Sequence, residues 1–250
     1  MDLCFYVLGS EENALESNVT INNKEVMKGD RPMLEGIYDA HMGTTDHAWN
    51  CATCGNRKTI CPGHVGSIDV KYPVKSPIYR DELLKWLKVT CYHCGSIIAP
   101  LKKKVAPGKM LSELAKTVRN VSACPKCHKP HLQVIKDKNK PAVFYRVREE
   151  KKMIVEQHEF FNHQIESVIQ SIPDEIVLRL GKPLRSHPKK FILRVIRAPP
   201  NTIRPDIRRV GGARSSNSDT TSLMKTLVEI NEALPDDIPD EELIGQDLKD

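Results

Sequence analysis

Seven of the eight cysteines in this 250-residue chain, together with one histidine, fall into two sets with metal-ligand spacing. That spacing constrains the fold more than any other feature. The first set is Cys51-x2-Cys54-x6-Cys61-x2-His64; the second is Cys91-x2-Cys94 followed, 29 residues later, by Cys124-x2-Cys127. A two-residue gap lets one tight turn aim both side chains at a single ion, while amides of the turn donate to the sulfurs. Gly55 and Gly63 leave room for such turns. Two structural zinc ions are therefore expected, one on Cys51, Cys54, Cys61 and His64 and one on Cys91, Cys94, Cys124 and Cys127. Four protein ligands leave no position for water or substrate, so neither metal is expected to be catalytic.

Two other uses of cysteine fit poorly. Redox Cys-x2-Cys motifs stand beside a βαβ pattern that is not evident here. A cross-braced ubiquitin-ligase finger would place a cysteine within a few residues of its histidine, whereas 26 residues separate His64 from Cys91. Cys4 stands outside both sets. His93 and His128 adjoin ligands and read as bystanders.

Composition agrees with a fold stapled by metal. Aromatic residues are 5% and charged residues 28%, which is little core material for the length. The net charge of +6 is unevenly spread: Leu101 to Lys129 holds eight Lys or Arg against Glu113 alone, and Gly181 to Arg214 holds ten against Asp206 alone. Glu232 to Asp250 reverses this, with eight acids and one lysine. The basic stretches suit a polyanion or are solvated faces; the acidic end reads as a weakly ordered tail. No apolar run is long enough to span a bilayer, and the start lacks the basic-then-apolar order of a leader, so a soluble, unexported chain without a membrane partner is expected.

The expected fold class is α+β, an irregular, zinc-stapled assembly with short strands and several helices. Phe5, Val7, Val19 and Ile21 suggest short strands joined by polar loops in residues 1–35. Helical periodicity marks Tyr79 to Val89 and Phe160 to Ile172. Ser171 and Pro173 open a further helix that Gly181 ends. Phe191 to Ile196 reads as a strand, and Asn201 to Ser218 as a basic, glycine-containing loop. Asp219 caps a last helix whose Leu223, Leu227, Ile230 and Leu234 recur at helical intervals.

The motifs also carry a family likeness. Asp39-Ala-His-Met-Gly-Thr-Thr-Asp46, the first knuckle and Cys61-Pro-Gly-His-Val-Gly-Ser-Ile-Asp69 resemble the start of the largest subunit of multisubunit DNA-dependent RNA polymerases. The likeness continues through Tyr72-Pro-Val-Lys75, Cys91-Tyr-His-Cys-Gly95, Ile172 to Gly181, Ser186-His-Pro188 and Ala198-Pro-Pro-Asn-Thr-Ile-Arg-Pro205. Gly36 to Gly43 and Ser186 to Lys190 look most like the versions carried by large DNA viruses of eukaryotes.

What the resemblance implies is the clamp, the jaw that closes over template DNA and the RNA–DNA hybrid. In those terms residues 1–35 are N-terminal strands, 36–90 clamp core with the first zinc site, and 91–150 clamp head with the second. Residues 151–202 return to the clamp core, 203–222 form a lid-like basic loop, and 223–250 start a clamp helix and its acidic tail. Arg204, Arg208, Arg209 and Arg214 of the lid, with Lys102, Lys103 and Lys104, are the expected phosphate contacts. The partners implied are the other polymerase subunits, including the second-largest, together with DNA template and hybrid.

The family's three magnesium-holding aspartates have no counterpart here. The Mg2+ of the complete nucleotidyltransferase is therefore expected outside this chain, which alone should be inactive, a fragment or one piece of a split subunit. A viral protein would act in the particle and host cytoplasm, a cellular one in the nucleus. The alternative is a freestanding zinc-stapled nucleic-acid-binding module or protein-interaction scaffold.

Overall fold

The structure, a computed structural model, describes residues 6–29, 31–100, 106–118, 121–136, 143–147, 156–204, 207–208, 215–216 and 218–235. In chain order the helices are α1 (Ser10–Glu16), α2 (Arg80–Val89), α3 (Met110–Thr117), α4 (Asn162–Gln170), α5 (Asp174–Arg179) and α6 (Asp219–Ala233). The strands are β1 (Met27–Lys28), β2 (Arg31–Pro32), β3 (Gly66–Lys75), β4 (Gln133–Lys136), β5 (Val143–Val147), β6 (Glu156–Glu159), β7 (Ile192–Ala198), β8 (Ile207–Arg208) and β9 (Ser215–Ser216). This is the expected α+β mixture, in small sheets: hairpins β1–β2 and β8–β9, the pair β3–β7, and the antiparallel sheet β4–β5–β6.

The described residues divide into two compact units, one comprising 6–7 and 72–193 and the other 8–71 and 194–235. Each unit contains one hydrophobic core and one of the cysteine sets.

The first unit is organised on α2. Leu83, Leu84, Trp86, Leu87 and Val89 are all buried, and the helix packs against α3, α4, β4 and the turn at Pro188–Phe191. Burying each such side chain contributes about 1.5–3 kcal/mol, so this one helix supplies much of the unit's driving force. Asp81 and Glu82 occupy its first turn, where carboxylates meet the positive end of the dipole. Helix α4 adds Ile165, Val168 and Ile169, and its Gln164 side chain accepts from the Phe161 amide at 3.1 Å, which satisfies one free donor of the helix start. The Tyr79 and Phe191 rings stack with centroids 4.9 Å apart.

Helix α6 and the outer half of β3 carry the second unit. The core is Ile21, Ile37, Tyr38, Met42, Ile68, Ala198, Met224 and Val228. Asn231 clips helix to strand, accepting from the Lys71 amide at 2.8 Å and donating to the Asp69 carbonyl at 2.9 Å. Lys71 Nζ donates to the Leu234 carbonyl at the negative end of α6. Helix α1 covers β7 through Ser10 Oγ, which accepts from the Arg194 amide, and Asn13, which donates to the Val195 carbonyl.

Several expectations change. The polar stretch Ser10–Glu16 is helical, its start fixed by the Gly9 amide donating to Glu12 at 2.9 Å. Helix α6 is capped by Ser218, whose Oγ accepts from the Thr221 amide; Asp219 is its first residue. Its buried face is Thr221, Met224 and Val228, whereas Leu223 and Ile230 are 71% and 53% exposed. The basic interval between the two halves of the second cysteine set contains helix α3, which buries Leu111 and Leu114. No described helix is long and apolar enough to cross a membrane.

Candidate metal centres

Three of the four cysteine-bearing turns have one backbone design. The amide of the first cysteine donates to the carbonyl five residues on, and its carbonyl accepts from the amide four residues on. The pairs are Cys51 with Asn56 and Gly55, Cys91 with Ser96 and Gly95, and Cys124 with Lys129 and His128, at 2.8–3.0 Å. The fifth residue must turn back, and it is left-handed in each: Gly55 at φ 71°, Gly95 at φ 65° and His128 at φ 59°. Glycine takes that conformation freely and histidine at a cost. His128 is therefore part of the third knuckle, in the place where the sequences Cys-x2-Cys-Gly put glycine.

In the first set the four donor atoms lie within 4.8 Å of one another. Cys51 and Cys61 are 2% and 7% exposed, and Cys54 and His64 are half-buried. His64 Nε2 is buried and has no hydrogen-bond partner, the condition of an imidazole nitrogen that coordinates an ion. The neighbouring His64 side chain, then the Asn56 backbone, lower the Cys54 thiol to about 6. Burial pushes Cys61 up, partly offset by the Gly63 amide, which donates to its sulfur at 3.4 Å. Gly63 itself, at φ 86°, lies so close to Pro200 and Thr202 that a Cβ would collide with both.

The second set is equally compact, with all four sulfurs within 4.8 Å. Cys91 Sγ is 3.6 Å from Cys127 Sγ, and Cys94 Sγ is 3.7 Å from Cys124 Sγ. Four sulfurs at ~2.3 Å around one zinc would stand ~3.8 Å apart, whereas a disulfide needs ~2.05 Å. All seven described cysteines are free thiols. Burial drives Cys91 up to about 12; at Cys124 burial also acts upward, but the amides of Cys127 and Lys126 outweigh it and bring the thiol down to about 6. Ser96 Oγ lies 2.8 Å from Cys94 Sγ and 3.6 Å from Cys124 Sγ, a neighbour the spacing alone did not single out. Both donor sets are complete, soft and closed, which fits a structural tetrahedral ion of the zinc type.

Of the expected phosphate contacts, Arg204 is corrected. It is 2% exposed inside the second unit, because every side of its guanidinium is used. Nε donates to the Pro199 carbonyl, the terminal nitrogens donate to the Ile37 carbonyl and Asn201 Oδ1, and the Tyr38 ring lies 4.9 Å away. It is a buried strut that holds the Ala198–Arg204 segment against the Ile37–Met42 turn, not a surface cation. Arg208 lies in β8, and only its backbone is described; Arg209, Arg214, Lys102, Lys103 and Lys104 lie outside the described residues, as does Cys4. His93 is half-buried beside Tyr92 and is not among the donors of either set.

Residues 1–242 match the family model described as RNA polymerase Rpb1, domain 1. The chain is 31% identical over 237 residues to a DNA-directed RNA polymerase RPB1 homolog of African swine fever virus, covering 94% of this chain and 16% of the viral protein. It is 30% identical over 224 residues to the DNA-directed RNA polymerase subunit Rpo1N of Methanocaldococcus jannaschii, covering 83% of this chain and 16% of that one. For Rpo1N of Methanococcus vannielii the identity is 27% over 253 residues, covering 95% of this chain and 28% of the relative. The chain thus spans well under a third of these relatives.

Proposed function

Because this chain belongs to the RNA polymerase Rpb1, domain 1 family, we propose that it is the clamp portion of the largest subunit of a DNA-directed RNA polymerase. In this reading it holds template DNA and RNA–DNA hybrid beside the other subunits, and it contributes to nucleotidyl transfer only in the complete enzyme. The magnesium-holding aspartates lie in another part of that enzyme.

The observation that carries the reading is the pair of closed four-donor sets, each set into its own unit. Zinc is the ion proposed for both. Bound there, it would crosslink loops that have little apolar material of their own, and such sites contribute on the order of 10 kcal/mol to folding. Cys51, Cys54, Cys61 and His64 fix the Asp39–Asp69 region. Cys91, Cys94, Cys124 and Cys127 tie the end of α2 to the segment after α3.

Rigid knuckles of this kind can present basic surface to phosphate without reading sequence. Arg208, Arg209, Arg214, Lys102, Lys103 and Lys104 remain the proposed contacts. The test is binding of labelled duplex and RNA–DNA hybrid across a tenfold salt range. Affinity should fall linearly on a log–log scale, and unchanged affinity would refute the electrostatic part of the proposal.

A further inference from the structure

A cleft of about 590 Å³ opens in the second unit beside the first metal set. Its size lies in the range of small-ligand sites. One wall is immobilised: Asn201 Nδ2 donates to the carbonyls of Tyr38, Asp39 and Gly43, and its Oδ1 accepts from buried Arg204. The facing loop is ordered by Thr44, whose hydroxyl donates to the Asp46 carbonyl, and by Asp46, whose carboxylate accepts from the Ala48 amide. The loop is tied to the knuckle by the Ala52 amide on the Ala40 carbonyl and by Thr53 Oγ1 on the His41 carbonyl.

Three side chains that carry nucleic-acid chemistry, His47, Trp49 and Lys58, line this frame. Trp49 is half-buried, and His47 and Lys58 are exposed; none makes a hydrogen bond, ion pair or ring contact among the described residues. Lys58 stands on the loop between Cys54 and Cys61, so ligation fixes its backbone. Among the described residues Asp46 is the one acid lining the cleft and its carboxylate is engaged by the Ala48 amide, while Arg57 and Lys58 are both exposed. An indole and an ammonium lining one cleft are the two elements that single-stranded nucleic acid requires, a stacking platform and a phosphate partner. A base within a duplex is already stacked and could not enter.

We propose that this cleft takes one nucleotide of a single strand, its base stacked on Trp49 and its phosphate paired with Lys58, with His47 donating at the mouth. The proposal rests on the nucleic-acid reading above and adds to its phosphate contacts a site for a base.

Tryptophan fluorescence isolates the event, because the other tryptophan, Trp86, is 1% exposed in the core of the first unit. The zinc-loaded chain is titrated with octauridylate at low salt, following fluorescence quenching and, in parallel, the anisotropy of a labelled octamer. Both should trace one isotherm. Trp49→Ala should weaken binding about tenfold and Trp49→Phe much less, in line with stacking of about 1–3 kcal/mol per base. Lys58→Ala should weaken binding a few-fold and reduce the salt slope by about one. Lys58 is exposed and Trp49 half-buried, and zinc content checks that each variant is folded. Octamer binding by anisotropy without quenching, and unaltered in Trp49→Ala, would overturn the cleft and leave the wider reading standing. Absence of binding at every salt concentration would overturn both.

Discussion

The two four-donor sets share a knuckle and differ in what surrounds them. In the first unit, Cys91 and Cys124 belong to the hydrophobic core, and Cys94 and Cys127 pack against it. In the second, no cysteine enters the core, which is built from Ile21, Ile37, Met42, Ile68 and the inner face of α6. The first set instead meets the rest of its unit through polar and steric contacts, notably Gly63 against Pro200 and Thr202. An ion on the second set would complete a core, and an ion on the first would fix a loop beside one. The consequences of breaking them should be unequal.

The largest effect should follow Cys124→Ser. Loss of the ion would remove a share of folding energy on the order of 10 kcal/mol and open the core around α2, so most of the first unit should become protease-sensitive. Cys54→Ser should release its ion yet leave the α6 core protected. Hydrogen exchange resolved by segment would show the contrast, and equal loss of protection in both variants would abolish it.

Next come the left-handed glycines of the knuckles. Gly95 has both φ 65° and a Cβ position that collides with the Ser171 carbonyl, whereas Gly55 has φ 71° and open space. Gly95→Ala should cost about 3 kcal/mol and Gly55→Ala about 1 kcal/mol, measured by denaturant unfolding of the loaded protein. Equal costs would mean that the second knuckle does not seat against Ser171.

Acid should also discriminate between the units. Burial holds the His131 imidazole down at about 4, against an ordinary value near 6.5, and it depresses His187 too; both are in the first unit. Each is neutral when folded and takes up a proton when unfolded, so its contribution is present above about pH 6.5 and is lost as pH falls. For His131 that loss runs from about 6.5 to about 4. His131→Gln should flatten the fall in first-unit stability across that window and leave the second unit's profile unaltered. An unchanged slope would remove His131 from the account.

The smallest effect concerns His128. Replacing it with glycine relieves about 1–2 kcal/mol of left-handed strain but costs about 0.4–1 kcal/mol in added unfolded-state entropy, for a net gain of roughly 0.8 kcal/mol. A loss of stability would show that the imidazole has a role beyond filling the turn.

How far the sequence could be read follows from what each signal depends on. Ligand spacing is local and chemically demanding, so both donor sets were legible to the residue, as were α2 and α4 from their apolar period. Arg204 was misread because a guanidinium in a basic segment looks solvated, and only the fold brings carbonyls from Ile37 and Pro199 around it. The sheet β4–β5–β6 escaped because its strands lack clear alternation. On α6 the leucine and isoleucine repeat suggested one face, yet the unit buries Thr221, Met224 and Val228, since Thr221 must meet Arg204 and Tyr38. His128 reads as a bystander in the sequence because its signal lies in register with the other knuckles and not in its side chain.

The most direct test of the central claim is the metal content of protein purified under reducing conditions, by native mass spectrometry, with each donor set disabled in turn. Two zinc ions per chain, falling to one when either Cys54 or Cys124 is replaced by serine, is the predicted result. A single zinc in the unaltered chain, or no loss on either replacement, would contradict the assignment of one closed metal centre to each unit.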